Sequence, residues 1–172
     1  MAFDTFLFLD GVAGESTAVI DPKPQGLAGP PTELYSFSWG ASNPTTVGSQ
    51  GGGLTAGKVS ISSFNVMRKS DNASPVLFQF CCAGQHIKKG SVILRKATGT
   101  DGKQQTFLQY DFEDLMVESV QWSGSSGGDD TPTESLSFAF AKVTVTNYKQ
   151  DTKTGAMIKG TGASWDLTKV TA

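Results

Sequence analysis

Two stretches of the chain alternate apolar and short polar residues with a period of two. Residues 34–40 read Leu-Tyr-Ser-Phe-Ser-Trp-Gly, and residues 58–68 read Lys-Val-Ser-Ile-Ser-Ser-Phe-Asn-Val-Met-Arg. Successive side chains of a strand point to opposite faces, so each stretch predicts a strand with one apolar face and one face of hydroxyls. Tyr35, Phe37 and Trp39 fall on the side assigned to the core, and Ser36, Ser38, Ser60 and Ser62 on the side assigned to an open wall. That wall is small and uncharged, which suits a smooth surface better than a salt-bridged exterior. Between the two strands, residues 41–57 are rich in Gly, Ser and Thr and nearly free of large apolar side chains. This exceeds the roughly 2–5 residues of a hairpin turn, and loops of such length tend to be functional or disordered. The pattern predicts an arm that becomes ordered only against another subunit. Its contact residues are Asn43, Thr45, Thr46, Val47, Gly51, Gly52, Gly53 and Leu54.

The remaining elements follow in order. Residues 3–10 predict a strand apolar on both faces, hence one covered on both sides. Residues 11–31 hold Pro22, Pro24, Gly26, Gly29, Pro30 and Pro31, and predict a loop with little regular pairing. One helix is expected, with Ser74 as its cap, Pro75 in its first position and Gly84 ending it. Its body is apolar nearly all round, with Leu77 and Phe80 assigned to the core, so it must be covered on most sides. A strand over 90–96 and a turn over 98–102 lead to a long strand over 105–122, either continuous or broken near Glu113 and Asp114. There the apolar set Leu108, Tyr110, Phe112 gives way to the opposite phase, Leu115 and Val117. A bulge or kink must lie between. A strand over 134–149 shifts in the same way from Leu136, Phe138 and Phe140 to Val143 and Val145. A last strand over 158–167 is anchored by Trp165. Some seven strands with one helix predict a mainly β fold. The architecture expected is a compact β-barrel or two-sheet barrel with a flanking α-helix and a long extended loop, in a single domain over 1–172. The two phase changes are what corner-turning strands of a closing barrel need.

Charge narrows the function classes. With 14 Lys+Arg against 16 Asp+Glu the net charge is −2, so nothing favours nucleic acid or an anionic membrane. No apolar run approaches membrane-spanning length. The short run Phe6–Leu9 follows Asp4 rather than basic residues and is not a signal peptide. The two cysteines, Cys81 and Cys82, are adjacent and offer no structural disulfide, which points to a reducing compartment. Release from the cell would therefore need a dedicated export machine.

Four constellations imitate chemistry. Residues 52–58, Gly-Gly-Leu-Thr-Ala-Gly-Lys, match the start of a phosphate loop, but Val59 and a strand follow where a hydroxyl and a helix are needed. Residues 124–128, Gly-Ser-Ser-Gly-Gly, fit a nucleophile elbow without the following helix. Cys81, Cys82 and the single histidine, His86, supply too few separated ligands for zinc. Small buried hydrophobes at the end of a core helix account for the cysteines, and entry to a strand accounts for His86. Asp111, Glu113, Asp114 and Glu118 lie along one strand and read as a solvated or subunit-facing edge. No catalytic residue, metal or cofactor is expected.

Residues 4–16, Asp-Thr-Phe-Leu-Phe-Leu-Asp-Gly-Val-Ala-Gly-Glu-Ser, resemble the opening of the haemolysin-coregulated proteins, the inner-tube subunits of bacterial type VI secretion systems. So do Phe37–Gly40, the segment 51–58 entering a strand, Lys69-Ser70-Asp71 with Ala73-Ser74-Pro75, the helix ending Cys82-Ala83-Gly84, and Trp165-Asp166-Leu167. The chain departs from the family's usual short Asp-x-x-His link, carrying the longer segment 22–31 instead. The resemblance implies six-membered rings of this chain that stack into a hollow tube. It further implies a contractile sheath and a spike as partners, small effectors carried in the lumen, and delivery from the cytoplasm to the outside or into a target cell. A tail-tube protein of a related phage-like injection system, or a monomeric ligand-binding barrel, are the alternatives.

Overall fold

A strand that is apolar on both faces needs two covers, and β1 (Asp4–Leu9) has them. In the computed structural model, which describes residues 3–48, 53–97, 103–128 and 130–169, Leu7 and Leu9 point into the main core. Phe6 and Phe8 point the other way, beneath Ile20 and Leu27 of the loop 11–31 and beside Ile93. The proline-rich segment thus covers the second face of β1, with only an isolated Leu9–Val12 bridge of strand-like pairing.

The remaining elements are β2 (Thr32–Leu34), β3 (Ser36–Ser38), β4 (Ala41–Ser42), β5 (Thr45–Val47), β6 (Leu54–Ala56), β7 (Ser60–Ile61), β8 (Phe64–Lys69), α1 (Ala73–Ala83), β9 (His86–Ala97), β10 (Gln104–Ser123), β11 (Thr133–Gln150) and β12 (Met157–Asp166). The main sheet runs β2-β1-β9-β10-β11-β8-β3, with β12 added to β11. Its two ends, β2 and β3, are separated in sequence by Tyr35 alone, whose N–H donates to the Met67 carbonyl of β8 at 2.8 Å. The sheet therefore curls into a nearly closed barrel whose seam is a single residue. This corrects two expectations. The strand expected over 34–40 breaks at the seam, and Tyr35 is no core residue but 61% exposed, because the crossing turns its side chain outward. Leu34 on one side and Phe37 on the other both reach the core. The strand expected over 58–68 likewise breaks, into β7 and β8.

Both phase changes are present, and they face each other. β10 runs unbroken past Asp114, whose φ of 54° is the only positive value at a non-glycine residue described. That rotation brings Phe112 and Leu115 to the same core, although they are an odd number of residues apart. Glu113 pairs with Lys142 of β11, and beside it the Ala141 carbonyl accepts from the Leu167 N–H at 2.8 Å. Phe140 and Val143 flank that bend. Aromatic rings fill the concave side: Trp39 lies edge-on to Tyr110, Phe112 and Phe140, with Phe64 4.9 Å from Phe112. Trp165 packs against the same core from β12.

The helix ends at Gly84 in the left-handed conformation, φ 63°, as expected. Its start differs. Ser74 lies inside the first turn, and Asp71 takes over the capping role by accepting from the Ala73 N–H at 2.9 Å. Ser74 is buried because its hydroxyl belongs to a polar knot. Arg68 and Glu134 are both fully buried and face each other across β8 and β11 at 3.1 and 3.2 Å. Arg68 also donates to Asp71 at 2.5 Å and to Ser74 at 3.0 Å, and Ser74 donates to Glu134. Leu77 seals the helix onto the core, with Phe80 and Cys81 partly buried beside it. The outer side is open: Phe78 and Cys82 are exposed, so the helix is covered on one side only and Cys82 is not a core residue.

Removing Arg68 strands a buried carboxylate, which costs about 3–5 kcal/mol. Arg68→Met should lose that much in chemical denaturation, and Arg68→Met with Glu134→Leu should regain most of it. A double variant no more stable than the single one would contradict the assignment. At the bend, Asp114→Val forces a β-branched side chain into a left-handed conformation, at about 1–3 kcal/mol; an unchanged midpoint would remove the kink from its structural role.

Candidate assembly surface

The outward face of the barrel is read from strand register. Ser38 of β3 lies opposite Asn65 of β8, Asn65 opposite Ser137 of β11, and Ser137 opposite Ser119 of β10. One step along, Ser36 lies opposite Met67, Met67 opposite Ser135, and Ser135 opposite Gln121. Directly opposed residues share a face, so these eight side chains form two transverse rows across four strands. The intervening positions Phe37, Val66, Leu136 and Val120 belong to the core. Neither row contains a charge, and Met67, 44% exposed, is the one apolar member. At the rim, Ser137 donates to the Glu118 carboxylate at 3.1 Å.

Ser36 and Ser38 are both exposed in these rows. Ser60 and Ser62 are exposed too but are not part of them. Ser60 pairs with Ser42 in a separate two-stranded sheet, β4 with β7. Ser62 pins the base of the arm, accepting from the Gly40 N–H at 2.9 Å and donating to the Gly40 carbonyl at 3.3 Å. Asn65, Ser119, Gln121, Ser135 and Ser137 were missed from sequence. Their signal was present, since each alternates with a core residue in its own strand. Only the pairing register shows that they line up with Ser36 and Ser38.

The arm has structure of its own. Thr45, Thr46 and Val47 pair with Ala56, Thr55 and Leu54, and the Gly57 N–H donates to the Pro44 carbonyl at 2.7 Å. The expectation that it orders only against another subunit is thus corrected: β-branched Thr-Thr-Val supplies a strand that the surrounding glycines obscured. Residues 40–48 and 53–58 are all exposed, Asn43 and Gly53 among them. Gly51 and Gly52 lie outside the described residues. The segment resembling a phosphate loop is the return strand β6, with no helix behind it to aim amides at a phosphate.

The remaining chemical candidates are held apart. His86, first residue of β9, meets Asp114 at 2.6 Å with both side chains exposed. The Ser125 carbonyl closes a tight turn with the Gly128 N–H. The acidic residues have separate partners: Glu113 pairs with Lys142 at 3.1 Å, while Asp111 accepts from Ser91 and Gln109. Tyr148 donates to the Gln109 side chain at 3.1 Å, and burial, then the charge of Asp111, raises its pKa above the ordinary phenol range. The phenol therefore stays a donor at neutral pH. Among the described residues no three His, Cys, Asp or Glu side chains cluster as metal ligands.

Residues 6–147 match the family model described as type VI secretion system effector, Hcp. Over 99 residues the chain is 31% identical to the protein Hcp1 of Pseudomonas aeruginosa, a match covering 58% of this chain and 59% of that relative. A solved structure described as a type six secretion system protein superposes with a TM-score of 0.83 at 33% identity, covering 98% of each chain. Hcp1 from Salmonella typhimurium gives 0.72 at 29% identity, over 99% of each.

Proposed function

Because the chain belongs to the Hcp family of type VI secretion proteins, a structural rather than a catalytic family, we propose that it is the subunit of the secretion tube. Copies close into six-membered rings, the rings stack, and the two uncharged rows face the lumen. A contractile sheath around the tube and a spike at its tip are the partners of this reading, and small effectors are its cargo.

The observation that carries it is the wall of eight side chains across β3, β8, β11 and β10. Seven of them are Ser, Asn or Gln, which hydrogen-bond water readily and bring no charge to bind a cargo strongly. Such a surface wets and lets a folded passenger slide. The neighbouring arm, exposed along its described length, supplies reach toward another copy.

Size-exclusion with light scattering and negative-stain imaging of the purified chain should show ring-sized particles. A single chain at high concentration overturns the reading. Lengthening a wall side chain tests the lumen separately. Ser38→Gln or Ser137→Gln intrudes on a fitted passenger at about 1–3 kcal/mol, which corresponds to roughly fivefold or greater loss of effector co-purifying with rings. Unchanged retention in both variants would take the cargo off this face.

A further inference from the structure

The face that β9, β10 and β11 turn away from the core carries a cavity that neither the wall nor the arm uses. It holds about 640 Å³ between the loop 11–31 and the turn joining β11 to β12. Small-molecule sites commonly span about 300–1,000 Å³. Gln109 and Tyr148 line it, together with the apolar Val19, Pro22, Ala156 and Met157. Its two sides are tied down. The Met157 N–H donates to the Gln105 side chain at 2.9 Å, and Arg95 fastens the loop by donating to the Val19 carbonyl at 3.0 Å.

Arg95 is the group around which the cavity is built. Its guanidinium also donates to the Gln104 carbonyl at 2.5 Å. A guanidinium has five N–H donors, so three remain. The two bonds already made spare a ligand the cost of ordering the side chain. Asp4 lies opposite Arg95 on β1, yet burial lowers the Arg95 pKa by more than the charge of Asp4 raises it. The cation is thus short of compensating charge. Lys103 adds a second cation to the lining, against which the described residues set one carboxylate, Asp21. The apolar lining has no part in the core, and Val19 is 83% exposed. Cations beside open aliphatic surface suit a ligand that has one carboxylate and a short hydrocarbon chain.

We propose that this cavity binds a small organic acid, its carboxylate on Arg95 and Lys103 and its chain against Val19, Pro22 and Met157. Free short-chain acids and the C-terminal residue of a peptide share that chemistry. The site does not depend on the ring reading, because every residue named belongs to one chain.

The test is ligand-observed saturation-transfer NMR on the purified full chain, with 4-methylpentanoate as probe and its neutral isostere 4-methylpentanamide as control. Thermal midpoints report folding. The acid should bind saturably, at about 1 mM or tighter. Losing a charge-assisted hydrogen bond weakens binding at least about tenfold, so the amide should bind more weakly by that factor, and Arg95→Gln should lose as much. Arg95 also ties two segments together, so a second variant is needed. Ala156→Asp, at an exposed lining position, sets a carboxylate in the cavity and should weaken the acid about tenfold at an unchanged midpoint. N-acetyl-L-leucine distinguishes the sources: binding tighter than 4-methylpentanoate assigns the site to a peptide terminus, and weaker binding to a free acid. The proposal is overturned if 4-methylpentanoate shows no saturable binding, or if acid and amide bind alike. It is equally overturned if Arg95→Gln or Ala156→Asp, folded as wild type, keeps the wild-type affinity.

Discussion

A guanidinium and a carboxylate taken wholly out of water constrain the end of the barrel where strands give way to helix. Arg68 and Glu134 cannot be separated without leaving a buried charge, and Asp71, Ser74 and Thr32 fill the positions around them. The knot fixes four things at once: the spacing of β8 and β11, the first turn of α1, the turn leading into it, and the end of β2. Such a group is poor value as pure stabilisation, since an apolar replacement of equal volume serves as well or better. What it supplies is direction. An apolar contact tolerates sliding, but a fork of nitrogens against two oxygens fits in one geometry. The helix is thereby held at one angle on the barrel, with Leu77 inward and Phe78 outward.

From that end the two longest strands carry the architecture. Their paired bends at Asp114 and Ala141 turn one sheet around a single core, so that Phe112 and Leu115, or Phe140 and Val143, converge despite their spacing. The same bends leave a polar face on the outside of β8, β10, β11 and β3. Core and wall are two readings of one alternation.

Much of this was legible in the chain. The changes of phase in residues 105–122 and 134–149 pointed to the bends before any coordinates, because periodicity is local and the burial of large side chains enforces it. Gly84 was readable for the same reason, since a left-handed residue closing a helix is a local requirement met by glycine. Long-range facts were not. Ser74 looks like a cap in isolation and is buried because a carboxylate sixty residues away claims its hydroxyl. Tyr35 looks like the first of three core aromatics and is turned outward by a seam that only closure creates. The wall showed two of its eight members, since the other strands contribute according to register, which depends on pairing partners rather than on neighbours in sequence.

The seam has a dimensional consequence. One residue joins the two margins of the sheet, so there is no slack by which the girth of the barrel could vary. Sliding β2 against β1, or β3 against β8, by a single position would turn Leu34 or Phe37 to the outside. Every copy of the chain is therefore cut to the same gauge.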